Sequence, residues 1–214
     1  FSDCTSLKEI IIPDSVTEIW WRAFSGCTSL SKVKLSKNIT GTDSDVFSGC
    51  TSLAEITIPD SVTEIGWSAF SGCTSLAEID IPDSVISIDR SAFSGCTSLA
   101  EIVIPDSVTS IGKSAFSGCK SLTEITIPDS VTEIGDSAFS GCTSLKEITV
   151  SPDNKNYSSV DGVLFNKDGS ELIIYPKGNG RSAYTVPDGV TSIGRHVFSG
   201  CRSLTEIVIP DSVT

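Results

Sequence analysis

The sequence predicts a repeat solenoid, a fold in which short and similar units stack along one axis. The first observation is a 23-residue period, at which phenylalanine, cysteine and leucine recur from Phe1 to Leu145. The second is the spacing of apolar residues inside each unit, which is that of a strand and not of a helix. The third is a break in the period after Phe139, because the next equivalent residue is Phe198, 59 positions later. Since chance does not produce such a fixed period, the repeats define the architecture.

One unit, residues 116–138, shows the elements in order, FSGCKSLTEITIPDSVTEIGDSA. Isoleucines alternate at residues 125–127 as on a strand, and Pro128 ends that strand because proline cannot donate to a ladder. Residues 131–134 give a second extended segment that ends at a glycine. The segment that carries the phenylalanine, followed by Ser-Gly, predicts a tight turn or a single helical turn.

The period divides one continuous solenoid into three parts. Residues 1–150 are regular 23-residue units, residues 151–195 form an irregular unit or insert, and residues 196–214 resume the repeat. In the irregular part we expect a β-hairpin around the turn signal at residues 167–169 and a further sheet strand at residues 183–187. Both ends of the sequence interrupt a unit, so we expect a segment of a longer array.

The composition argues against several classes of function. The chain has 214 residues and a formal net charge of −12, which argues against a nucleic-acid-binding protein and a basic membrane-surface binder. No stretch reaches the roughly 20 apolar residues that membrane insertion requires. Many serines lack a neighbouring base, and the one histidine, His196, is expected at the surface. We therefore expect no enzyme and no bound cofactor.

The eight cysteines occupy the same position in successive units, at Cys4, Cys27, Cys50, Cys73, Cys96, Cys119, Cys142 and Cys201. Stacking brings equivalent Cα atoms to about 4.8 Å, but parallel side chains do not face each other as a disulfide requires. The sequence has no C-x-x-C pair and no histidine partner for a metal site. We therefore expect buried, reduced, structural thiols and no bound metal.

The unit LAEITIPDSVTEIGWSAFSGC, residues 53–73, resembles the BspA-like class of leucine-rich repeats, and the resemblance covers nearly the whole chain. It implies a curved solenoid with a parallel β-sheet on the concave side and short extended segments and turns on the convex side. It also implies a bacterial cell-surface or secreted protein, often an adhesin, and supplies no catalytic residues. The second unit departs from the pattern, with Thr42 in place of isoleucine and Ser36 in place of proline, so we expect looser packing there.

Outward positions supply the candidate binding residues. A glutamate recurs immediately before the first strand isoleucine, with lysine in one unit, and forms a column of charges about 5 Å apart. Two further columns vary between otherwise similar units: the middle of the first strand and the second position after the isoleucine of the second segment. The candidate partner-binding residues are Lys32, Lys34, Glu55, Thr57, Glu78, Asp80, Glu101, Val103, Glu124, Thr126, Trp21 and Trp67.

These columns are open to a structural and a functional interpretation. The glutamates are either a solvated face that was copied with the repeat, or a docking strip for cations or a basic protein. Trp67 either lies flat over its neighbours or anchors a partner, since exposed aromatic side chains are common interface anchors. The hairpin is either an insert that tolerates length or a protruding contact element.

Together these observations predict non-catalytic protein–protein recognition through the outward faces of the solenoid. The expected partner is a protein, with a host matrix or cell-surface protein favoured by the resemblance. The expected location, cell surface or secreted, rests on the resemblance alone. The alternative is a structural spacer that holds another domain away from the cell.

Overall fold

A computed structural model describes residues 1–214 as a solenoid of about nine coils without a helix. The predicted fold class is confirmed, and the Phe-bearing segment is a turn. The strands are β1 (Glu9–Ile11), β2 (Lys32–Lys34), β3 (Glu64–Ile65), β4 (Ser87–Ile88), β5 (Ser110–Ile111), β6 (Glu124–Ile127), β7 (Glu133–Ile134), β8 (Glu147–Val150), β9 (Tyr157–Val160), β10 (Val163–Asn166), β11 (Glu171–Ile174), β12 (Ala183–Thr185), β13 (Ser192–Ile193) and β14 (Glu206–Val208).

The first extended segment of each coil forms an interrupted parallel ladder. Strand β1 pairs with β2, β6 with β8, and β12 with β14, each with equivalent residues side by side. The corresponding segments at residues 55–58, 78–81 and 101–104 form no strand pairs. Their isoleucines still point inward and are buried. Side-chain packing therefore holds this segment in the middle of the chain, where the backbones are not bonded to each other.

The second extended segment carries the longest continuous parallel sheet, in the order β3-β4-β5-β7. In it Ile65, Ile88, Ile111 and Ile134 lie side by side in register. A glycine follows the isoleucine in most coils, and a Cβ atom on Gly135 would lie 2.3 Å from the backbone of the previous coil. Only glycine allows this close approach. The sequence predicts an extended segment here, but not that it holds the better-formed ladder.

A stack of phenylalanine rings runs through the core beside these ladders. Consecutive rings from Phe1 to Phe139 lie 5.4 to 5.6 Å apart, with interplanar angles of 4° to 12°. The backbones of the same turns are bonded, since the Phe93 N–H donates to the Ala115 carbonyl at 2.8 Å. Seryl hydroxyls of the PDS turns also join neighbouring coils. The Ser107 hydroxyl, for example, donates a hydrogen bond to the Val85 carbonyl at 2.6 Å. One core of 46 buried residues results.

The irregular unit places two tight hairpins inside the stack. Strands β10 and β11 are antiparallel around residues 167–169, and β9 and β10 are antiparallel around Asp161 and Gly162. Asp161 and Gly162 have φ values of 54° and 80°, as a two-residue turn of this kind requires. The predicted hairpin around residues 167–169 is present, and the hairpin around Asp161 and Gly162 is an additional one that was not predicted. Strand β11 then pairs in parallel with β13, so the second ladder resumes.

The second coil is irregular where its sequence departs from the repeat. The ladder there is reduced to a single bridge between Thr42 and Ile65. Thr42 is buried, and its hydroxyl accepts a hydrogen bond from the Gly66 N–H at 3.1 Å. A cavity of about 300 Å³ opens beside Thr42 and Trp20.

Removing one ring from the middle of the stack tests the core. We expect Phe93→Ala to lower the free energy of unfolding by about 3–5 kcal/mol, because a fully buried ring leaves a cavity between two neighbours. Chemical denaturation measures this loss. Glu101→Ala is the control, since its side chain is exposed and its effect should stay within about 0.5 kcal/mol. An equal loss in both variants would contradict the packing described.

Candidate functional site

The first extended segment presents a continuous outward face. Side chains alternate along it, as in β2, where Val33 is buried between the exposed Lys32 and Lys34. The same alternation exposes Glu124 and Thr126 in β6. All ten strand candidates are exposed: Lys32, Lys34, Glu55, Thr57, Glu78, Asp80, Glu101, Val103, Glu124 and Thr126. We call these ten residues the strand surface. Val103, at 79% exposure, is its most prominent apolar side chain.

Three shallow grooves divide the strand surface. They lie where the first extended segments of adjacent coils form no strand pairs. One of about 410 Å³ is lined by Lys32, Glu55, Thr57, Glu78 and Asp80. A second of about 540 Å³ includes Lys34 and Thr57, and a third of about 460 Å³ includes Glu101, Val103, Glu124 and Thr126. The structure therefore brings together ten candidates that are up to four coils apart in the sequence.

The strand surface is acidic at its centre and basic at one end. Lys32 Nζ lies 3.0 Å from Glu9 Oε1, a pair that contributes little because both groups are exposed. The glutamates of the following coils form no ion pair, which leaves their carboxylates free. No group of three His, Cys, Asp or Glu side chains has an arrangement that could hold a metal ion. The free carboxylates match the charge of a basic partner surface.

The two tryptophan candidates lie elsewhere, in the segment that leads into the Phe-bearing turn. Trp21 and Trp67 are 61% and 50% exposed. The guanidinium of Arg90 covers the Trp67 ring at 5.2 Å, and that of Arg22 covers Trp21 at 5.4 Å. Cation–π contacts of this kind occupy one ring face. The twelve candidates thus divide between two surfaces, and each tryptophan already has a partner within the chain.

Six of the eight cysteines are buried and all eight are free thiols. In the core each thiol donates to a phenylalanine carbonyl of the preceding coil, as Cys96 does to Phe70 at 3.1 Å. The prediction that all eight are buried is wrong for Cys4 and Cys201, which are exposed and half-buried. No earlier coil of this chain covers Cys4. Cys201 follows the irregular unit, which lacks an equivalent turn to pack against it.

Burial also sets the acidity of the thiols. Desolvation, followed by the neighbouring Cys27, raises the pKa of Cys50 from 9.0 to about 12. Desolvation also raises the pKa of Cys142 to about 12, although hydrogen bonds with the Cys119 and Gly118 backbones lower it in part. Since the thiolate is the nucleophile, the buried cysteines carry no reactivity near neutral pH.

The sequence analysis missed an acidic cluster on the second ladder. Glu64 and Asp89 belong to adjacent coils, and their carboxyl groups share a hydrogen bond. This bond, with burial and the nearby Asp43, raises the pKa of Glu64. Asp43 also accepts a hydrogen bond from the Trp21 backbone N–H at 3.0 Å. The spacing of 25 residues between Glu64 and Asp89, one period plus two, is the signal that places them side by side.

A stack of parallel coils with repeated leucine and isoleucine columns defines a leucine-rich-repeat solenoid. The family described as BspA type leucine rich repeat region matches in six copies over residues 1–97, 68–179 and 177–214. The chain belongs to this family. No curated protein matches the sequence. No helix in the structure has the length and apolar character needed to cross a membrane.

Three solved bacterial proteins share the fold. A leucine rich cell surface protein from Faecalibacterium prausnitzii is 35% identical with a TM-score of 0.81, and the match covers 97% of this chain and 62% of that one. A leucine-rich repeat protein from Eubacterium ventriosum is 32% identical with a TM-score of 0.81, over 87% and 50%. The pneumococcal vaccine antigen PcpA is 27% identical with a TM-score of 0.62, over 96% and 51%. The chain thus spans half to three fifths of these proteins.

Thiol labelling tests the cysteine placement. In the native protein we expect a soluble thiol reagent to modify Cys4 rapidly and Cys201 more slowly, while the six buried thiols react only after unfolding. Mass spectrometry of digested protein counts the modified sites. Cys4→Ser is the control that removes the fast phase. Rapid labelling of four or more sites without denaturant would contradict the core assignment.

The raised thiol pKa values also predict a pH dependence. A folded-state pKa above the unfolded value means that the folded protein holds the proton more tightly, so stability falls as pH rises above about 9. We expect Cys50→Ala to reduce the loss of stability between about pH 8 and about pH 10.5, measured by urea unfolding. Cys4→Ala, at an exposed site, should leave that loss unchanged. An identical loss in Cys50→Ala and the unaltered protein would argue against the assignment.

Proposed function

We propose that the chain is a non-catalytic protein-recognition module of a bacterial surface or secreted protein with an adhesin-like role. The observation that carries the proposal is the strand surface, where the mid-strand column (Lys34, Thr57, Asp80, Val103 and Thr126) varies beside a recurring glutamate column and over a nearly constant core. Variation at exposed positions over a constant core is what a recognition surface requires, and packing alone does not require it. Membership in a leucine-rich-repeat family, whose members are typically interaction modules, supports the same function.

The mechanism is binding by a rigid, preformed surface. The stacked core fixes the backbone beneath each outward residue, so little ordering accompanies binding. Small contributions from several coils add over a broad contact area. The free carboxylates of Glu55, Glu78, Asp80, Glu101 and Glu124 favour a basic protein surface, and Val103 supplies an apolar contact beside them. Electrostatic attraction of this kind speeds association and selects partners.

The proposed location at the cell surface or outside the cell rests on similar proteins. One solved relative is described as a cell surface protein and another as a vaccine antigen. A host matrix or cell-surface protein is accordingly the first partner class to test.

A structural spacer is the second candidate, and the uninterrupted stack from Phe1 to Phe139 favours it. Six ring contacts at nearly constant spacing make the regular part a stiff rod. In that role the outward side chains need only keep the protein soluble.

Charge reversal on the strand surface separates the two functions. We expect the triple variant Thr57→Arg, Asp80→Arg and Val103→Arg to lose proteins that the unaltered chain captures from extracellular-matrix and cell-surface extracts. It inverts the net charge of the groove lined by Lys32, Glu55, Thr57, Glu78 and Asp80, and it replaces the apolar contact at Val103 with a cation. The measurement is quantitative mass spectrometry of the captured proteins.

A control variant places the same number of arginines on another surface of the same coils. Ser52→Arg, Ser75→Arg and Ser98→Arg lie in the same three coils, are exposed, and follow the cysteine turn instead of the strand surface. This control should retain the captured proteins. Equal capture by both triple variants, or no specific capture by the unaltered chain, would favour the spacer.

A further inference from the structure

The Phe-bearing turns form their own backbone ladder, which runs in one direction. In each regular coil the turn donates three hydrogen bonds to the carbonyls of the next coil. The Ser114 N–H donates to Asp136 at 3.0 Å and the Phe116 N–H to Ala138 at 2.8 Å. The third bond runs from the Gly118 N–H to Ser140 at 2.7 Å. Every turn therefore needs a following turn of the same shape.

This ladder stops at Phe139, because the following coil has no such turn. Register along the two ladders makes Leu172 equivalent to Ile111, and Tyr184 equivalent to Ile125. The path from Leu172 to Tyr184 in the irregular coil is 12 residues long, whereas the path from Ile111 to Ile125 in a regular coil is 14 residues long. The shorter path replaces the turn with Tyr175-Pro176-Lys177.

Three backbone N–H groups in the last turn of this ladder have no hydrogen-bond acceptor. The N–H groups of Ser137, Phe139 and Gly141 form no hydrogen bond within the protein, whereas their equivalents one coil earlier are all bonded. Phe139 is buried, and a buried backbone donor without a partner is costly and rare. Ser137 is exposed and Gly141 is half-buried. The three groups lie on alternate residues of one turn, which aims them toward the place that the missing turn would occupy.

A cavity of about 170 Å³ lies at that place. Ser137, Phe139 and Ser140 line one wall, Tyr175 and Lys177 the middle, and Arg195, His196 and Ser199 the other. Two cationic side chains, Lys177 and Arg195, therefore border it beside His196, and no aspartate or glutamate does. Neither Lys177 nor Arg195 forms a salt bridge. In a chain with a net charge of −12, this is a local concentration of positive charge.

The lysine is directed along this gap. Lys177 is half-buried, and its Nζ lies 3.5 Å from the position that a Cβ atom of Gly200 would take. Gly200 belongs to the coil after the gap, and Ser140 to the coil before it. Lys177 lines the cavity together with Ser140, and its ammonium group lies beside the turn after the gap.

We propose that this cavity, lined by Ser137 and Phe139 with their free N–H groups and by Lys177, Arg195 and His196, binds a single oxyanion group such as phosphate. A row of backbone N–H groups binds anions by itself, and charge-assisted bonds from lysine and arginine strengthen the interaction. The cavity is smaller than the roughly 300 Å³ typical of sites for whole small molecules. It therefore takes one anionic group, free or carried on a larger molecule. The site lies in the turn segment, away from the strand surface, and is independent of the proposed protein recognition.

A titration with inorganic phosphate at constant ionic strength tests the site. We expect the backbone amide resonances of Ser137, Phe139 and Gly141 to shift saturably in ¹H–¹⁵N spectra, while those of Ser114, Phe116 and Gly118, whose N–H groups are already bonded, stay in place. Lys177→Gln with Arg195→Gln should weaken binding about tenfold or more. A parallel titration with glucose 6-phosphate distinguishes the two sources, since saturable shifts of the same resonances mean that the site accepts a carried group.

Lys113→Gln is the matched control, because Lys113 holds the repeat position of Arg195 in a regular coil and does not border the cavity. It should bind phosphate like the unaltered protein. If the double variant does not fold, Arg195→Gln alone, at an exposed side chain, provides the comparison. Absence of saturable shifts, equal shifts at both sets of amides, or unchanged binding in the arginine variant would overturn the proposal.

Discussion

The structure depends on one constraint, the placement of each residue directly over its equivalent in the neighbouring coil. Phenylalanine rings repeat at 5.4 to 5.6 Å, and isoleucines pair in register along the second ladder. At this spacing a turn N–H reaches the next carbonyl, and a glycine is needed where the backbones approach most closely. Neighbouring coils of the regular part therefore share one length of 23 residues, because a change of length between neighbours moves the turn donors out of register with their acceptors.

The same constraint separates the roles of the two sides of the chain. Inward positions are fixed by the neighbours above and below, so an altered core residue disturbs two interfaces. Outward positions contact mainly solvent, and Thr57, Asp80 and Val103 can therefore differ at one position of the repeat. A recognition surface can thus diversify without loss of the fold, which is the physical basis of the proposed function.

Much of this arrangement is predictable from the sequence, since a period aligns equivalent residues without knowledge of any contact. The stack of phenylalanine rings, the buried isoleucines and the exposed strand surface can be predicted from spacing and alternation alone. The interrupted first ladder does not, because hydrogen-bond pairing depends on how far apart the coils are and not on which residues they present. The exposure of Cys4 and the gap beside Phe139 were missed for a related reason. Both arise where a neighbouring turn is lacking, and the repeat pattern describes only units that have one.

The unpaired turn after Phe139 has a consequence for how such chains change over evolutionary time. Within the regular part each interface between coils is the same, so unequal recombination can insert or delete one whole unit and alter the length by about 5 Å. The irregular coil does not match the turns of the coils before and after it. Recombination within it would place backbone N–H groups opposite turns that do not present the matching carbonyls. We therefore expect the number of units to change more readily within the regular part than across the irregular coil.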